Sequence, residues 1–206
     1  MRFKKTVLIA LLFVLALSIH TSAATKEEKA VKKVATSYFK AVKKYNATSI
    51  AKTMLPKSKR KPFKTYNADS MLGKIIKDMH KYTFKYKIKS IKVSGKTAKV
   101  KAEISYYDGY QNIVDGFTKS YADAVNKYLQ NDFNQTQEEF NDEVAYNIDY
   151  EFAFSDWDDY TQIQNTTLKF KKYKGKWKIS TVTNFMNKYI NCNAFAAMDY
   201  VGKLYE

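Results

Sequence analysis

The chain has 206 residues, 45% of them hydrophobic, with 36 Lys and Arg against 20 Asp and Glu and a formal net charge of +16. That length supports one domain with a full core rather than a short peptide or a string of domains. A single Cys excludes an internal disulfide, and with two His it leaves too few ligands for an ordinary zinc site, so neither metal nor cofactor is expected.

Arg2, Lys4 and Lys5 give a basic start, Thr6 to Ile19 is almost wholly apolar, and Ser22-Ala23-Ala24 supplies small residues where a signal peptidase cuts. Residues 1–24 read as a signal peptide, because the apolar run is short for a membrane span and no Cys follows it to carry a lipid. Residues 25–206 are then one secreted domain, extracellular or associated with the cell envelope. The lack of disulfides suits bacterial export. Asn46, Asn134 and Asn165 each begin an Asn-x-Thr sequon, which matters only in a glycosylating host.

Thr25 to Tyr45 predicts a helix. Val31, Val34, Ala35, Tyr38, Val42 and Tyr45 share one stripe, and Lys29, Lys32, Lys33, Lys40, Lys43 and Lys44 lie opposite. Such a helix could lie on a membrane; packing against a sheet is the reading adopted. Asn46 caps a short second helix with Ile50, Met54 and Leu55 inward and Pro56 as its stop. Lys57 to Lys64 reads as an exposed basic loop. Asn67 to Asp69 caps a third helix, with His80 just past its end on the surface.

Tyr82, Phe84, Tyr86 and Ile88 alternate with Lys85, Lys87 and Lys89, then the phase slips, so a β-bulge is expected near Ser90. Gly95 turns the chain, and Ala98, Val100, Ala102, Ile104 and Tyr106 return on one face. Asp115 to Asn131 and the segment after the capping box Thr136-x-x-Glu139 read as helices. Tyr150 to Phe154 reads as a short strand and Ser155 to Asp159 as an acidic loop. A second hairpin follows, with Leu168 and Phe170 on one arm and Trp177, Ile179, Thr181 and Thr183 on the other. Asn193 caps a last helix, Ala194 to Leu204. The fold class is α+β: N-terminal helices on a bent antiparallel sheet, with a helical insertion at 117–159 and a C-terminal tail at 185–206.

A long first helix, two short helices and a curved sheet ending in Tyr173-Lys174-Gly175-Lys176-Trp177-Lys178-Ile179 resemble the nuclear transport factor 2-like, or ketosteroid isomerase-like, superfamily. The resemblance covers most of residues 26 to 184. It implies a cone of helix and sheet around a pocket. It includes isomerases, dehydratases and noncatalytic binding modules, so it does not decide function. The acidic insertion and the tail depart from the simplest pattern.

Charge is unevenly spread. Residues 25 to 131 carry 25 basic and 8 acidic residues, 132 to 159 carry ten acidic and none basic, and 160 to 206 carry eight and two. A solvated surface is the bland reading; a basic face for anionic partners is the sharper one. No phosphate loop, nucleophile elbow or Cys/His pair is present. Asp156, Asp158 and Asp159 lack the Gly and later Glu of a calcium loop. Tyr38, Tyr86, Tyr106, Phe170 and Trp177 are expected inward, as core or as the lining of a ligand cavity. Lys57, Lys59, Arg60, Lys61, Lys85 and Lys87 are the expected polyanion contacts. The function expected is a noncatalytic exported binding domain, with anionic cell-wall polymer, a membrane surface, a small ligand or a protein as partner. Nucleic acid is not expected. The chain is expected as a monomer or as a homodimer through the sheet. The alternative is a small isomerase or dehydratase of the same fold.

Overall fold

A computed structural model describes residues 24–130 and 134–204. Apart from Ala24, the expected signal peptide lies outside the described residues. Helix α1, Lys26–Lys43, opens with a capping box that the sequence reading missed. Thr25 Oγ1 accepts from the Glu28 amide at 3.1 Å, and the Glu28 carboxylate accepts from the Thr25 amide at 2.8 Å. Such a cap is worth about 0.5–2 kcal/mol. Helix α2, Ala47–Thr53, is capped by Asn46, which accepts from the Ser49 amide at 2.8 Å. Its chain then runs extended through Met54, which bridges to Ile179, and makes a short 3-10 turn at Lys57–Lys59.

Helix α3, Met71–Thr83, departs from expectation at both ends. Ser70, not Asn67 to Asp69, is its cap. At its far end it runs through His80 and Tyr82 to Thr83. Leu72, Ile75, Ile76, Met79, His80 and Thr83 form one buried stripe at i, i+3, i+4, i+7, i+8 and i+11. The surface His80 of the sequence reading is corrected: it is 0% exposed. Tyr82 is helical and exposed rather than the start of a strand.

Strands β1 (Lys85–Ser94), β2 (Thr97–Tyr107), β3 (Thr161–Tyr173) and β4 (Lys176–Ile179) form one antiparallel sheet in chain order. The two hairpins join because β2 pairs with β3, Ala98 opposite Phe170 and Ile104 opposite Gln164. The bulge falls where the phase slip put it: register shifts between Ile88 and Ser90, leaving Lys89 without a partner residue. Lys174 and Gly175 turn β3 into β4 with φ of 46° and 75°, the two positive values a type I′ turn requires. Strand β4 is shorter than expected. It stops at Ile179, and Thr183 instead caps a helix, accepting from the Met186 amide.

The acidic insertion is a helical hairpin, α4 (Tyr110–Leu129) and α5 (Gln137–Phe154), followed by a single turn α6 (Trp157–Tyr160). The expected strand at 150–154 is corrected: Val144, Ile148 and Phe152 continue a helical stripe to the end of α5. The expected acidic loop is α6 with its cap, as Asp156 accepts from the Asp158 amide at 3.0 Å. Helices α4 and α5 meet at Gly116, where an added Cβ would lie 2.7 Å from Ile148 N. Beside it Asn147 Nδ2 donates to Ser120 Oγ at 2.8 Å. The C-terminal segment is no loose tail. Helices α7 (Asn184–Ile190) and α8 (Ala194–Leu204) bury Tyr189, Ile190, Ala197 and Val201. Asn193, expected as a cap, has φ 62° and donates through its side chain to Asp108 at 2.9 Å.

The core lies between the inner sheet face and helices α1, α3 and α7. No described helix is long and apolar enough to cross a membrane.

Candidate polyanion-binding surface

Period-two alternation sends every second residue of a strand to the same side. Inward go Ala98, Val100, Ala102, Ile104, Leu168, Phe170, Trp177 and Ile179, all buried. Outward, by the same parity and register, go Lys85, Lys87, Lys89 and Lys92 on β1, Lys99 and Lys101 on β2, Lys169 and Lys171 on β3, and Lys176 and Lys178 on β4. All but Lys178 are exposed, and Lys178 is half-buried, its ammonium held by the Lys52 carbonyl.

Register makes this more than a scatter of charges. Lys92 lies opposite Lys99, and Lys99 lies opposite Lys169, so three lysines stand side by side across three strands. Lys171 and Lys178 form another opposed pair. Directly opposed residues have Cα atoms about 4.5–5.5 Å apart, and like charges there are destabilising. The acidic residue on this face is Glu103, opposite Lys87. Its carboxylate takes a 2.9 Å ion pair from Lys89. The Lys89 hydrogen bond and the charges of Lys89 and Lys87 hold that carboxyl below its ordinary range. The row Lys92–Lys99–Lys169 has no acid within its register.

The expected basic loop divides. Lys57, Lys59 and Lys61 are exposed. Lys59 Nζ lies 5.3 Å from the centroid of Tyr173, an outward-facing residue of β3, so the loop adjoins the sheet face at its β4 side. Arg60 is a structural group: it is half-buried, and its Nε donates to the Leu55 carbonyl at 2.8 Å. Lys85 and Lys87 belong to the sheet face, whereas its other lysines were not singled out from the sequence. Their outward parity was visible; the pairing of β2 with β3 was not.

The five inward aromatics do not meet around one cavity. Tyr38, Tyr106 and Phe170 are at most 1% exposed. The Tyr38 and Tyr189 hydroxyls share a 2.6 Å hydrogen bond, and Tyr106 packs against Phe185 and Tyr189. Tyr86 is half-buried and stacks on Phe39 with centroids 4.8 Å apart. Trp177 lines a groove outside the core, between α1, α2 and the β3–β4 turn. Its Nε1 donates to Glu27 at 2.6 Å, and Lys172 donates to the same carboxylate at 2.7 Å.

His80 Nε2 lies 2.8 Å from the Ile190 carbonyl and therefore donates, while Nδ1 has no partner. Burial pushes its pKa down to about 4, with the Ile190 bond opposing. Cys192, 3.9 Å from Nε2, is buried, and burial pushes its thiol far up. Among the described residues no group of three or more His, Cys, Asp or Glu is placed to hold a metal ion. No protein-family model, curated protein or solved structure matches the chain.

Proposed function

We propose that this chain is an exported, noncatalytic binding module whose outer sheet face takes an anionic polymer or anionic membrane surface of the cell envelope. The observation that carries this is the lysine row Lys92–Lys99–Lys169, set in a face of ten lysines with one neutralised carboxylate. A like-charge row costs stability in the free protein, and a polyanion laid across it removes that cost. Lysine is a hydrated point charge on a flexible stem, suited to diffuse attraction rather than bidentate recognition. Charges on this face recur about every 4.7–4.9 Å across strands and about 6.6–6.8 Å along them, a lattice for a flexible chain of repeated anions. Two such faces repel, which disfavours a homodimer stacked outer face to outer face.

The nuclear transport factor 2-like reading draws support from helices covering one side of an antiparallel sheet and leaving the other open. The noncatalytic reading draws support from the inner face, where Tyr38, Tyr106 and Phe170 are packed and His80 is enclosed in neutral form.

The test is retention on phosphatidylglycerol-rich vesicles, and on purified cell walls, across a salt series. Wild type binds at low salt and is released as the Debye length falls from about 10 Å at 0.1 M to about 3 Å at 1 M. The variant Lys92→Gln/Lys99→Gln/Lys169→Gln is released at lower salt. The control Lys74→Gln/Lys77→Gln/Lys81→Gln, with the same charge change on α3, stays close to wild type. Equal loss in both variants would mean net charge alone drives retention and would reject the sheet face as the site.

A further inference from the structure

A second feature is chemically distinct from the sheet face. The groove beside Trp177 has a volume of about 880 Å³, within the roughly 300–1,000 Å³ range of small-molecule sites. Its floor is apolar. Ala30, Val34 and Ala41 line it from α1, and Trp177 lines it from β4. The polar edge of Trp177 is already spent on Glu27, so what the indole adds to the groove is hydrocarbon. The rim is basic: Lys33 and Lys40 come from α1, Lys44 from its C-cap, Lys52 from α2, and Lys176 and Lys178 from β4. No Asp or Glu is among the lining residues. Glu27, the nearest acid by its bond to Trp177, is committed to Lys172 as well.

We propose that this groove binds an anionic amphiphile: a single acyl or alkyl chain along the floor, with its carboxylate or phosphate among the rim lysines. Each half of the lining excludes a simpler ligand. A bare inorganic anion would leave the apolar floor wet. A neutral lipid would leave an ammonium cluster without a counter-charge. Lysine satisfies both halves of the ligand, because its methylene stem extends the apolar wall while its ammonium stays at the rim. The rim is wide and adaptable, so it selects for charge and chain rather than for one head-group shape. Lys176 and Lys178 belong to both the groove and the sheet face, but neither is in the row Lys92–Lys99–Lys169, so the two sites are separable by mutation.

Trp177 reports on occupancy. The chain has two Trp, and Trp157→Phe leaves Trp177 as the sole emitter. In that background, dodecanoate and dodecyl phosphate, each below its micelle concentration, are expected to change Trp177 emission saturably. Dodecyl maltoside, a neutral amphiphile of the same chain length, and inorganic phosphate, an anion without a chain, are expected to bind far more weakly. Ser37 is exposed and lines the groove, so Ser37→Glu places a like charge there without disturbing the core. It is expected to weaken both anionic amphiphiles by about tenfold, the equivalent of one like-charge contact of roughly 1.4 kcal/mol. Lys33→Gln/Lys40→Gln weakens them in the same direction. The sheet-face triple Lys92→Gln/Lys99→Gln/Lys169→Gln leaves their affinity within about twofold, as expected of distant sites. Equal affinity for dodecanoate and dodecyl maltoside, or for phosphate alone, overturns the proposal. So does an unchanged affinity in Ser37→Glu with its unfolding midpoint at the wild-type value. Loss of amphiphile binding in the sheet-face triple would move the site to that face and overturn the groove.

Discussion

His80 titrates where its consequence can be isolated. It is fully buried, its Nε2–H is committed to the Ile190 carbonyl, and Phe84 stands edge-on with centroids 5.2 Å apart. Nδ1, where the second proton would sit, has no hydrogen-bond partner, and the folded pKa falls to about 4, the dominant cause being burial. In the unfolded chain it is about 6.5. Between those values the unfolded state binds more protons, so stability rises with pH through the window and falls as pH drops from 6.5 toward 4. A shift of about 2.5 units at 1.36 kcal/mol each makes the full effect roughly 3 kcal/mol, of which about 2.5 kcal/mol is lost between pH 7.5 and 4.5. The comparison is urea unfolding of wild type against His80→Gln, which keeps an N–H donor and does not titrate. Carboxylates such as Glu103 and Glu139, held below their ordinary range by Lys89 and by the Thr136 amide, cancel in the difference. The gap between the two proteins is expected to shift against wild type by about 2.5 kcal/mol on going from pH 7.5 to 4.5. A gap constant to within about 0.5 kcal/mol would mean that His80 reaches solvent, and the burial argument would be wrong.

Other outcomes follow from the packing and the sheet face. Lys99→Gln removes the centre of the three-lysine row, and it should raise the free energy of urea unfolding at low salt by about 0.2–1 kcal/mol for each opposed pair relieved. The gain should vanish near 1 M NaCl, where the Debye length is about 3 Å. Trp177 is 5% exposed, so Trp177→Ala should cost about 3–5 kcal/mol by urea unfolding; a loss under about 1 kcal/mol would make it peripheral. Gly116→Ala should destabilise by about 1–3 kcal/mol, despite the helix propensity of Ala, because its Cβ meets backbone of α5. A rise in thermal midpoint would show that α4 and α5 are further apart than described.

Local periodicity made much of the fold legible. The stripe of α1, the bulge near Ser90 and both hairpin turns follow from spacing and from Gly within a few residues. What failed was where two periods compete. Tyr82, Phe84 and Tyr86 alternate like a strand, yet the i+4 stripe from Ile76 to His80 extends the helix to Thr83. Tyr150 to Phe154 has strand-forming residues, yet Phe152 is the last rung of a helical stripe packed on α4. The site failed for a different reason. Lys99 and Lys169 are each plainly outward on their own hairpin, but their opposition depends on β2 meeting β3 across the connection 108–160. No local pattern specifies that pairing. The burial of His80 was equally invisible, since the Ile190 carbonyl that its Nε2–H meets comes from a distant segment.

The two edges of the sheet are finished differently. Beyond β4, Met54 bridges to Ile179 and Leu55 donates to its carbonyl at 2.9 Å, so that edge is occupied. Beyond β1 no described strand pairs. Its unpaired backbone is guarded by the bulge at Lys89 and by the charges of Lys85, Lys87, Lys89 and Lys92, the devices that keep exposed edges from joining. Those are the charges that an anionic polymer would neutralise on the proposed reading. Occupancy of the face would then disarm the edge, and copies gathered on one polymer would be brought together as the repulsion between them disappears. The expected result is a solution that clouds as polyphosphate is titrated to charge equivalence and clears again in excess, when each copy is coated and the surface charge has changed sign.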